Sequence, residues 1–319
     1  MTLSVVISDY TFPNLAQEQA AAEAKGASLV AYQSKSDAEL AKVVNGADVV
    51  AVQFATFGPL CCAAVKPGAT VIRYGVGYDN IDLEAAKKAG LKVGYVPDYC
   101  IDEVAEHSCA AAMALLRKLV PLDASVRAGE WAAVKHAKPI KPFAETTFGF
   151  FGMGQIGQRI LTRLKGFGFS FIVADPGLSE KQAEKMGAAL VDEDTLLTNA
   201  DIISLNAPAT VKTTNFFNAA RLARMQPHAM IINSARGQLI VENDLADALE
   251  KGLIGGAAID VFQAEPLAMS SLLRKAPNLL LTPHVAWYSE AAINRLQGFV
   301  AQDITRALNG DLPRKPVRI

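Results

Sequence analysis

Short apolar runs alternate with amphipathic stretches along most of the chain. Strands are predicted over residues 3–8, 28–32, 47–53, 71–74 and 93–96. Helices are predicted over 14–25, over 37–44 with Ser36 as N-cap, and over 83–89, stopped by Gly90. Pro97 ends the fifth strand, and a long alanine-rich helix follows over about 103–119. A second series of strands covers 148–151, 171–174, 188–191, 202–205, 230–233, 256–260 and 279–281. Helices fill its gaps, 241–251 being the clearest, and a last helix over about 290–308 precedes a polar tail. The strands are continuous apolar runs without strict alternation, as expected where helices cover both faces of a parallel sheet. The pattern predicts two α/β domains, each with its own parallel sheet.

The second series opens on Thr147–Phe151, followed by Gly152-Met153-Gly154-Gln155-Ile156-Gly157 and a helical pattern to about residue 165. A glycine-rich turn between strand and helix can hold a pyrophosphate. Gly152 permits the tight turn, Gly154 removes a side chain where phosphate approaches, and Gly157 lets the helix lie close on the strand. Gln155 and Ile156 begin the helix, whose free N–H groups and positive dipole end face the phosphates. Asp175 ends the next strand, about 20 residues on, where a carboxylate accepts from ribose hydroxyls. No Arg or Lys follows it until Lys181, so the cofactor expected is NAD, since a 2′-phosphate would meet like charge.

Composition narrows the partners. The 319 residues suit two domains, and 51% apolar content suffices for two cores. A net charge of −1 points to neither nucleic acid nor an anionic membrane. Cys61, Cys62, Cys100 and Cys109 form neither a CxxC nor a disulfide framework, so a reduced, cytoplasmic protein is expected. The N-terminal apolar run lacks a basic flank, no run reaches transmembrane length, and no metal is expected.

Hydride transfer needs a cation for the substrate, a proton donor and a group to orient that donor. Of the four histidines, His107 falls in the long helix, His136 in a polar loop and His228 in a surface turn. His284 stands just past a strand's carboxyl end, where α/β sheets bind ligands. Arg236 lies past another strand, beside Gly237, which suits close approach of a ligand. Asp260 and Glu265 follow a third. By spacing alone each stays open between a structural and a functional role. The same holds for the loop Gly75-Val76-Gly77-Tyr78-Asp79-Asn80-Ile81-Asp82.

Together these stretches resemble the D-isomer-specific 2-hydroxyacid dehydrogenases. The glycine loop, Val104-Ala105-Glu106-His107, Asn233-Ser234-Ala235-Arg236-Gly237, Asp260-Val261-Phe262-x-x-Glu265-Pro266 and Thr282-Pro283-His284 carry the resemblance in order over nearly the whole chain. It implies that Arg236 binds the substrate carboxylate, His284 exchanges the proton and Glu265 orients its ring. It implies substrate contacts from Tyr74, Val76, Gly77 and Trp287. Cofactor contacts would come from the glycine loop, Asp175, Ala207, Pro208, Thr213, Ser234, Ala235, Asp260 and His284. Asn206-Ala207-Pro208 replaces the His-x-Pro of many members. The resemblance further implies a discontinuous substrate domain (1–98 with 288–319), an NAD domain (99–287), an active site in a cleft that closes, and a homodimer through the NAD domain. Residues 284–290 are most similar to the branch of the C-terminal-binding proteins, so an NAD(H)-sensing corepressor is the alternative to an enzyme. Trp287 and the Phe54–Phe57 stretch suggest an apolar substrate side chain. The loop over 53–58 has no basic residue, which disfavours a phosphorylated substrate.

Overall fold

A computed structural model describes residues 3–319. Chain contacts divide into two units, one made of residues up to Cys100 with Tyr288–Ile319, the other of Ile101–Trp287.

In the first unit the strands are β1 (Ser4–Ile7), β2 (Ser28–Ala31), β3 (Val49–Val52), β4 (Thr70–Arg73) and β5 (Lys92–Tyr95). They form a parallel sheet in the order β2-β1-β3-β4-β5. Ser36 caps the helix Asp37–Val43 through a reciprocal box with Glu39, satisfying two N–H groups that the helix cannot. A helix over Pro59–Ala64 was not anticipated; Pro59 begins it, where a missing N–H costs nothing. The helix Glu290–Leu308 lies against Ala16–Glu23. There Gln297 donates to buried Glu18, which also accepts from the Tyr74 hydroxyl at 3.0 Å. The tail returns to β5, pairing Gly94 with Pro316 in antiparallel sense.

The second unit holds β6 (Thr147–Phe151), β7 (Ser170–Ala174), β8 (Ala189–Leu190), β9 (Ile202–Leu205), β10 (Met230–Asn233), β11 (Gly256–Ile259) and β12 (Leu279–Leu281). Their order is β12-β11-β10-β9-β6-β7-β8, all parallel. Chain order reverses at β6, so the turn after β6 lies at the switch point where such sheets bind ligands. Alternate residues serve two cores: Ile202, Met230, Ile232 and Ala258 pack on one face, Ile203, Ile231, Ala257 and Ile259 on the other.

The long helix is shorter than its composition predicts. It spans Ile101–Leu116, breaks at Lys118 (φ 51°) and gives way to a second helix, Leu119–Arg127. Pro121 explains the break: it has no N–H, and its ring would strike the carbonyl four residues earlier in a continuous helix. His136 lies in a short helix, Ala133–Ala137, instead of a loop.

Candidate active site

The turn after β6 is built by its glycines. Gly152 has φ 87°, and a Cβ there would lie 2.8 Å from the Ala207 backbone nitrogen. Only glycine meets both demands. A Cβ on Gly157 would meet the Gly152 carbonyl oxygen at 3.2 Å, so helix and turn are in contact. Gly154, by contrast, has nothing within 4 Å of a Cβ position. It precedes the helix Gln155–Leu164, whose N-terminus has no side-chain cap. The N–H groups of that first turn have no partner within the helix, so the open space before them suits an anion. Asp175 closes the turn by accepting from Met153 N–H and Gly177 N–H, both at 2.7 Å. Each oxygen keeps acceptor capacity for a hydroxyl. Thr213 Oγ donates to the Pro208 carbonyl and accepts from Thr210 N–H, folding residues 208–213 on themselves.

Three loops past β10, β11 and β12 carry the other candidates. Buried Asn233 shapes the first: its side chain donates to the Arg236 carbonyl and accepts from Ala235 N–H. Gly237 is explained by protein and not by a ligand. A Cβ there would fall 1.9 Å from the Phe262 carbonyl carbon, so glycine alone lets this loop touch the next. That contact sets Arg236 close enough to act electrostatically on Glu265.

Glu265 Oε1 accepts from Phe262 N–H at 2.9 Å, and Oε2 lies 2.6 Å from His284 Nδ1. Burial pushes the Glu265 carboxyl upward, but the hydrogen bonds from His284 and Phe262 and the charge of Arg236 outweigh it, holding it below the usual range. An ionised Glu265 can only accept, so His284 carries a proton on Nδ1 and its Nε2 is left out of this pairing.

His284 adopts φ 52°, an uncommon conformation for a side chain branching into a ring. It is held there from several sides. Its N–H donates to the Asp260 carbonyl at 2.8 Å, and its own carbonyl accepts from the Trp287 indole at 2.7 Å. Asp260, 3% exposed, accepts from Thr282 Oγ, Val285 N–H and Ala286 N–H at 2.6, 2.9 and 3.0 Å. The helix Ile101–Leu116 reaches two of these loops with neighbouring residues. Ser108 Oγ lies 2.7 Å from Ser234 Oγ, and His107 Nε2 lies 3.2 Å from Thr282 Oγ. His107, Asn233, Ser234, Asp260 and Thr282 line one cavity of about 280 Å³. Asn233, Thr282 and His107 were not anticipated as site residues. Each stands inside a stretch that carries the family resemblance, but only contacts between distant segments bring the three to one cavity.

In the first unit, Tyr74 departs from the substrate contact that the resemblance implies for it. Its side chain is 1% exposed, tilted against the Phe12 ring and bonded to Glu18, so the side chain belongs to the core. Phe57 is likewise buried, leaving Phe54 as the exposed aromatic of its loop. The N–H groups of Val76 and Gly77 have no hydrogen-bond partner among the described residues. Asn80 anchors their loop by donating to the Ala55 carbonyl at 2.8 Å.

Residues 109–286 match the family described as D-isomer specific 2-hydroxyacid dehydrogenase, NAD binding domain. The chain belongs to this family. It is 37% identical over 292 residues to a D-3-phosphoglycerate dehydrogenase of Synechocystis, covering 89% of this chain and 51% of that protein. It is 36% identical over 248 residues to a glyoxylate reductase of Thermococcus litoralis, covering 76% of this chain and 75% of that one. The match thus spans about half the length of the first relative. Among solved structures, the apo form of Escherichia coli D-lactate dehydrogenase has a TM-score of 0.83 at 27% identity, over 99% of this chain and all of that one. Ile101–Trp287 therefore contains an NAD-binding domain of the 2-hydroxyacid dehydrogenase family, and its sheet order is the one such domains use. Among the described residues no helix is long and apolar enough to cross a membrane.

Proposed function

We propose that the chain is an NAD-dependent dehydrogenase that interconverts a small 2-keto acid and its D-2-hydroxy acid. The observation that carries this reading is the 2.6 Å pairing of His284 Nδ1 with an ionised Glu265 that also feels Arg236. It supplies an oriented proton donor beside a cation for a carboxylate. NAD, when bound, supplies or takes the hydride. Gly152, Gly154 and Gly157, with the Gln155 and Ile156 N–H groups, hold its pyrophosphate, and Asp175 its ribose. Ala207, Pro208, Thr213, Ser234 and Ala235 flank it, and Asp260 accepts from its carboxamide. Arg236 binds the substrate carboxylate and polarises the keto oxygen, and His284 Nε2 gives that oxygen its proton. Val76 and Gly77 offer backbone N–H groups to an anionic substrate group, in a substrate domain of residues 1–98 with 288–319. Trp287 and exposed Phe54 favour an apolar substrate side chain.

The protein is further proposed to act in the cytoplasm as a homodimer. Supporting the dimer, Leu119, Val120, Val126, Val134 and Trp131, the last 93% exposed, are exposed apolar side chains within a short stretch of the NAD-binding unit. Purified protein should oxidise NADH with at least one of glyoxylate, hydroxypyruvate or a longer keto acid. Binding of NADH without turnover of any of them would favour an NAD(H)-sensing interaction protein instead.

A further inference from the structure

His107 has no part in the reaction described above, yet its ring reaches the loop that carries His284. Thr282 joins them. Its hydroxyl has a single proton, directed at Asp260 Oδ1 2.6 Å away, and a carboxylate oxygen only accepts. Thr282 Oγ therefore meets His107 Nε2, at 3.2 Å, with a lone pair, and Nε2 must be the donor. That ring nitrogen also lies 3.9 Å from Asp260 Oδ1, the oxygen it supports. From Asp260 the connection continues along the loop. The carboxylate takes the N–H groups of Val285 and Ala286, and the Asp260 carbonyl takes that of His284. The connection thus runs from a 16-residue helix to a residue in a costly backbone conformation. Such a conformation persists only where its surroundings over-determine it.

We propose that His107 is a positioning residue: it donates to Thr282, turns the Thr282 proton onto Asp260, and so keeps His284 in the backbone conformation that presents its ring. This rests on the role of His284 proposed above, so its test needs a readout independent of turnover. His107→Leu removes the donor at similar bulk, His107→Gln retains an N–H at comparable reach, and Thr282→Val removes the intermediary. His107→Leu should speed amide hydrogen exchange at Val285 and Ala286 by roughly 10-fold. It should lower kcat by roughly 10- to 100-fold while the KM for the keto acid and the Kd for NADH change little. His107→Gln should restore most of both. In a double-mutant cycle, His107→Leu with Thr282→Val should be no worse than Thr282→Val alone.

Additive losses, unchanged exchange at Val285 and Ala286, or a loss of NADH affinity matching the loss of kcat would each overturn the proposal. Should His107→Leu be too unstable to purify, His107→Gln and Thr282→Val still decide it. Near wild-type exchange in the first with fast exchange in the second supports the relay, and fast exchange in the first overturns it. Faster exchange in a protein that reduces no keto acid would sustain the relay and remove the enzymatic reading alone.

Discussion

Asp175 and Asp260 each stand one residue beyond the carboxyl end of a parallel strand in the same sheet, and they have become different devices. Asp175 is partly exposed at the mouth of the glycine turn and accepts two backbone N–H groups. Asp260 is buried and accepts three donors, all of which shape the loop bearing His284. The first has both oxygens open to a ligand; the second, besides the carboxamide contact proposed for it, is the foundation of the loop bearing His284. Equivalent positions in a sheet do not imply equivalent work. What separates them is how many protein donors already claim the carboxylate.

The strongest way to sharpen that contrast is to remove the group Asp260 supports. His284→Gln should cost on the order of 10²–10⁴-fold in kcat, while NADH affinity, proposed to rest largely on the Asp175 turn, survives. Retention of wild-type kcat would exclude His284 as the proton donor. Arg236→Lys keeps the charge but loses the planar fork, and kcat/KM should fall by about 10²-fold. Unchanged steady-state constants would take Arg236 out of the site.

The two carboxylates can then be compared directly. Asp260→Ala leaves buried N–H groups unpaired and should destabilise the protein by about 2–4 kcal/mol in denaturant titrations. Asp175→Ser should barely move the midpoint, yet narrow a preference for NADH over NADPH of roughly 10²-fold in kcat/KM. Equal loss of stability in both would erase the distinction, and equal use of both cofactors by the unaltered protein would move the ribose away from Asp175.

The smallest expected effect is one of pH. The Glu265 carboxyl is held below its ordinary value of 4.5 in the folded protein. Its contribution to stability is therefore complete above the unfolded value and is lost as pH falls through the lower, folded one. Acid titration of Glu265→Gln should lack that share of the decline. An identical acid limb would mean the His284 pairing adds nothing to the fold.

Much of the fold is local in origin and was legible along the chain. β9, β10 and β12 coincide with their apolar runs, and the remaining strands differ from theirs by a residue or two at an end. Both cores need such runs, and capping rules act over a few residues, as at Ser36. Where reading along the chain failed, a single residue overrode composition, as Pro121 did in the alanine-rich helix. The glycine turn and the three reaction loops were legible for a different reason. Glycine and charged residues at strand ends are rare enough, and ordered enough in sequence, to mark them.

The sequence by itself determined the two parallel sheets and the glycine turn, and marked Arg236, Glu265 and His284 as candidates. Tertiary structure alone decided what their neighbours do. Tyr74 sits at a strand end like the candidates but is turned inward by buried Glu18, a partner 56 residues away. Gly237 is required by the Phe262 backbone, which no pattern near residue 237 reveals. His107 and Thr282 meet across 175 residues, and Asp260 is claimed by donors more than 20 residues downstream. Periodicity reports which side of an element is apolar, because that is a property of adjacent residues. Which polar atoms of distant segments satisfy one another is settled only when packing removes water from between them.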